Sequence, residues 1–152
     1  MILKMRKLFA GLLLCFAASA VSAQEPIVID DLSPAQLRAE IKTVQTEFYR
    51  VYNAAMDDSK MRIVCHDYLP TTSNIRQEAC EPQFVIDRRS GNASDSQRQI
   101  DVLMTPAALQ QDLSAEFTAL TAAMNKLAAE DQYFKELNSV LKMLRERLDE
   151  IT

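Results

Sequence analysis

The sequence predicts an all-α fold: a helical hairpin or a three-helix bundle, with a long C-terminal helix and a disulfide-closed segment between the helices. Three observations lead there. Apolar residues recur at helical spacing from Leu37 to Ala55 and again from Leu113 to Ile151. Each of these stretches opens on a hydroxyl residue followed by Pro, a helix-start signature. The region between them is rich in turn formers and carries a pair of Cys. At 152 residues, 48% hydrophobic and 25% charged, the composition suits one globular unit.

Residues 1–23 read as a secretory signal peptide rather than as part of that fold. Lys4, Arg6 and Lys7 form the positive end, Leu8 to Val21 the apolar run, and Val21-Ser22-Ala23 the small residues of a cleavage site after about Ala23. The run is too short to cross about 30 Å of hydrocarbon as a helix, and no later stretch is apolar enough to span. Cleavage would move the net charge from −4 to −7. An acidic chain is a poor nucleic-acid binder, because phosphate contacts need an excess of Lys and Arg. The implied localisation is the periplasm.

The first helix is expected over about 34–60. Ser33 is its N-cap, Pro34 its first residue, Gln36 the partner of a capping box, and Leu32 and Leu37 a hydrophobic staple. Leu37, Ile41, Val44, Phe48, Val51 and Ala55 follow a 4-3-4-3-4 spacing, the pattern of a left-handed helical pair and so of a coiled coil. Asp57-Asp58 would close this helix, where acids oppose the dipole.

The second helix is expected over about 106–150, opened by Thr105-Pro106. Leu113, Leu120, Leu127, Phe134, Leu141 and Leu148 recur every seven residues. Phe117 and Met124 flank that row in the first half, and Leu137, Leu144 and Ile151 on the other side in the second. A stripe that changes sides must supercoil or bend, and Asp131 falls where an apolar residue would continue it; a bend or break is expected there. If straight, this element measures about 68 Å against about 40 Å for the first helix. Leu137, Leu141, Leu144, Leu148 and Ile151 are therefore a candidate interaction stripe. It could be covered by a fold-back of the chain, by the connector, by self-association or by a protein partner.

The connector, 61–104, is too long for a bare turn. Cys65 and Cys80 are an even pair in an exported chain, so a disulfide is the default, closing a loop of about 16 residues. Arg89-Ser90-Gly91-Asn92 reads as the clearest break, and Ala93 to Met104 as a short helix. The runs Met61-Arg62-Ile63-Val64-Cys65, Thr71-Thr72-Ser73-Asn74-Ile75-Arg76 and Cys80-Glu81-Pro82-Gln83-Phe84 resemble a group of small exported proteobacterial proteins of unknown function. In that group Ile-x-Cys is followed by a Thr-x-Ser turn and a Cys near Pro and an aromatic; Thr72 stands where the turn usually has Gly. The resemblance implies a periplasmic protein with a Cys65–Cys80 bridge, and no activity.

Chemistry is sparse. Cys65, His66 and Cys80 offer only three zinc ligands, with an awkward adjacency, and no nucleotide or metal motif stands out, so no cofactor is expected. His66, the single His, reads first as a loop-packing residue; as a base it would need a nucleophile and a pocket. Three functional readings result. The first is a non-catalytic periplasmic helical protein acting by protein–protein contact. The second is a small periplasmic hydrolase or ligand-binding module using His66 and the nearby arginines of the disulfide segment, with Arg62 and Arg76 singled out for substitution; Arg88, Arg89 and Arg98 lie further along the same middle stretch. The third is a chaperone-like helical clamp for envelope proteins.

Overall fold

A computed structural model describes residues 28–70 and 73–152. Residues 1–23, expected to be a signal peptide, lie outside the described residues. Helix α1, Pro34–Ala55, starts on the capping box: the Ser33 side chain accepts from the Gln36 amide, and the Gln36 side chain accepts from the Ser33 amide at 3.0 Å. Two antiparallel strands follow, β1 (Ile63–Tyr68) and β2 (Gln77–Pro82), then α2 (Gln83–Gln97), α3 (Pro106–Asp112), α4 (Ser114–Glu130) and α5 (Gln132–Ile151). Among the described residues no helix is long and apolar enough to cross a membrane.

The all-α expectation is therefore overturned: the described residues form an α+β fold, five α-helices with a two-stranded antiparallel sheet inside the connector. The physical reason is non-local. Ile63, Val64 and Tyr68 favour strand, but Gln77-Glu78-Ala79-Cys80-Glu81-Pro82 has little strand preference of its own. Its pairing depends on its partner and on Cys65 lying directly opposite Cys80. Three boundaries also differ from expectation. The first helix ends at Ala55, so Asp58 does not oppose its dipole; its side chain accepts from the Lys60 amide and caps a 3-10 turn, Ser59–Met61. Residues 89–92 are not a break, because α2 runs through Gly91 to Gln97, and 98–104 is a non-helical strap. The segment 106–150 breaks at Asp131, where a bend or break is expected, and also at Leu113, where none is, so it forms three helices.

The core gathers where α1, α4 and α5 meet. Phe48 of α1 stacks on Phe134 of α5 with ring centroids 4.3 Å apart, and Tyr52, Leu120 and Leu141 are buried around them. Full burial of such side chains stabilises by about 1.5–3 kcal/mol each. α1 and α5 run antiparallel, since Phe134 lies against Phe48 while Arg147 reaches back to the Asp30 carbonyl at 3.1 Å. Asp131 makes the turn between α4 and α5. Its backbone is extended, and its carboxylate accepts from the Phe134 amide at 2.9 Å as the N-cap of α5. Phe84 of α2 meets Phe117 of α4 edge to face at 5.2 Å, which seats the connector on the bundle.

Candidate functional site

The hairpin is fixed from three directions. Cys65 and Cys80 are joined, and this bridge is the strongest local constraint. Asn53 of α1 donates to the Ile63 carbonyl and accepts from the Ile63 amide, both at 2.7 Å, so its side-chain amide takes the place of a neighbouring strand. The Gln83 amide donates to the Arg62 carbonyl at 2.9 Å, carrying the ladder into the start of α2.

Strand geometry sends alternate side chains to opposite faces. One face of the hairpin turns Ile63 into the core. The other carries His66, Tyr68, Ala79 and Glu81, which with Arg89 of α2 line an open cleft of about 510 Å³. Glu81 is two register positions from the residue opposite His66, within diagonal reach of it. Arg89 holds both oxygens of Glu81 in a fork, one bond at 3.0 Å. This hydrogen-bonded guanidinium keeps the Glu81 carboxyl below its ordinary range, against the opposing effect of partial burial. His66 Nε2 lies 3.8 Å from Glu81 Oε2, beyond hydrogen-bond length.

A carboxylate beside a His can orient a general base, but a nucleophile must meet the His. Among the described residues no hydroxyl or thiol hydrogen-bonds His66, and both cysteine sulfurs are committed to each other. Neither of the two arginines singled out for substitution joins it. Arg62 donates to the Met56 carbonyl just beyond α1, and Arg76 sits exposed between the strands. The cation that completes the cluster is Arg89, one of the middle-stretch arginines but not one of the two singled out; the sheet register brings Glu81, and with it Arg89, to His66.

The leucine stripe is placed differently. Leu141 and Leu144 are 3% exposed inside the chain's own bundle, Leu137 and Leu148 are half-buried, and Ile151 is 37% exposed at the end of α5. The most exposed large apolar residues lie instead in the connector. Leu69 and Ile75 flank the hairpin tip, and Ile100, Val102 and Leu103 crowd the strap at 69%, 81% and 59% exposure. Comparison with protein families, with characterised proteins and with solved structures gives no match for this chain.

Proposed function

We propose that this is an exported periplasmic protein that acts by contact with other proteins and performs no catalysis itself. The observation that supports this most is the strap: three of the four residues from Ile100 to Leu103 expose large apolar side chains. Single exposed apolar residues are ordinary, but a contiguous group of them marks an interaction site. The disulfide agrees with an oxidising compartment. The cleft at His66 is the weaker alternative, because Arg89 is already neutralised by Glu81 and no hydroxyl or thiol hydrogen-bonds His66 among the described residues.

The test is a photo-crosslinking residue placed at position 102 in living cells, with position 142 on the exposed side of α5 as control. A discrete adduct from 102 in the envelope fraction and none from 142 is expected. Equal labelling from both, or retention of the chain in the cytoplasm, would sink the reading.

A further inference from the structure

We propose that residues 100–104 are an open strand edge that accepts an extended, basic peptide from a protein partner. The proposal rests on the contact reading above and names the chemistry of the partner.

The strap begins with a helix stop. The Ile100 amide donates to the Asp95 carbonyl at 2.9 Å and the Gln99 amide to the Ser96 carbonyl at 3.1 Å, with Gln99 at φ 60°. This is a Schellman ending, in which the residue at the Ile100 position normally packs on the side chain at the Asp95 position. An aspartate there gives Ile100 nothing apolar to cover, and it stays 69% exposed.

Beyond it, Asn92 holds one edge of the strap. This residue is 4% exposed; its amide nitrogen donates to the Val102 carbonyl at 3.5 Å and its oxygen accepts from the Met104 amide at 2.9 Å. Carbonyl i and amide i+2 are the pair that a neighbouring strand engages. Asn92 thus does for 102 and 104 what Asn53 does for Ile63. Alternation between 102 and 104 turns the Leu103 backbone groups away from Asn92, Asp101 lies in the bend before it, and neither the Asp101 nor the Leu103 amide donates a hydrogen bond among the described residues. One edge is satisfied, and the other is open and flanked by apolar side chains. Strand addition uses this arrangement.

Charge selects the occupant. Asp95, Asp101 and Asp112 all act on Arg88, which is committed to Asp112 at 2.6 Å. Only Asp112 contacts that guanidinium, and Arg98, which lies between Asp95 and Asp101 in the sequence, forms no ion pair among the described residues. A second copy of this acidic chain would bring two such clusters together. An incoming strand with Lys or Arg between apolar residues satisfies both the edge and the acids.

The probes are two end-capped eight-residue peptides, one alternating Lys and Val, the other Glu and Val, with amide exchange of the full chain read by NMR. The Lys–Val peptide should slow exchange at Asp101 and Leu103 by about tenfold or more and leave Met104 unchanged, since Asn92 already protects it. The Glu–Val peptide should do nothing. Leu103→Pro, which removes the open-edge donor, should abolish the effect with the helical circular dichroism intact, and Asp95→Asn with Asp101→Asn should weaken it several-fold. Equal protection by both peptides, or protection at β1 and β2 instead, would overturn the proposal. If position 102 crosslinks in cells but neither peptide slows exchange, the contact reading stands and the strand-edge proposal falls.

Discussion

In the bundle of α1, α4 and α5, apolar side chains from distant parts of the chain close over one another: Phe48, Tyr52, Leu120, Phe134 and Leu141 share one interior. In the connector from Met56 to Thr105 the work is divided differently. Ile63, Phe84 and Val85 reach that interior, while a disulfide, two asparagine amides and a carboxylate–guanidinium fork hold the rest. Packing is non-directional and grows with area, whereas covalent and polar ties fix particular atoms. The bundle therefore supplies the stability, and the connector can leave apolar residues and a backbone edge in water because single ties hold its shape.

The sharpest way to break this comparison is to hollow each region in turn. Phe134→Ala removes a ring that is 1% exposed and stacked on Phe48. The expected cost is about 3–5 kcal/mol, with the whole chain lost in one transition in urea. Survival of the bundle at nearly unchanged midpoint would mean that its interior is not where the stability lies. Cys65→Ser with Cys80→Ser should cost about 3 kcal/mol on the chain-entropy view. Amide exchange in 63–68 and 77–82 should quicken first, with α1 and α5 still protected. Uniform quickening across all helices would erase the distinction between the regions.

The same division explains what could be read beforehand. Both helix starts were legible because Ser33-Pro34-Ala35-Gln36 and Thr105-Pro106 act within one turn, as the observed Ser33–Gln36 and Thr105–Ala108 bonds show. The cysteine pair was legible because Cys65 and Cys80 are the two left beyond the N-terminal region. The strands were not, because β2 has no local preference and takes its form from β1 across a disulfide. Of the candidate site, His66 was identified but its surroundings were not. Arg89 reaches it only through Glu81, and Asn53 and Asn92 bond to backbone 10 to 12 residues away. Side-chain amides standing in for strands leave no periodic mark in a sequence.

Gly91 tests how far helix α2 is set by its surroundings. A glycine inside a helix is a conformational cost, yet α2 passes through it, and a Cβ placed there meets no atom within 4 Å. Gly91→Ala should therefore stabilise by about 0.5–1 kcal/mol, read as a higher urea midpoint. Destabilisation would show that α2 needs the glycine for something other than helix.

The smallest expected effect is acid sensitivity of the connector's polar tie. Arg89 holds the Glu81 carboxyl below its ordinary value of 4.5, so the folded chain binds that proton less readily than the unfolded chain. The stabilisation is fully present above about pH 4.5 and is lost as pH falls through the lower, folded value. Arg89 is 49% exposed, so solvent and salt limit the contribution to a few tenths of a kcal/mol. Glu47 gives the counterpart in the bundle: its hydrogen bond to Arg50, aided by Tyr133, brings it down to about 2. Glu81→Gln should flatten the fall in stability below pH 4.5 without moving the Glu47 titration seen by carboxyl NMR. If Glu47 shifts in that variant, the two regions are coupled through more than packing.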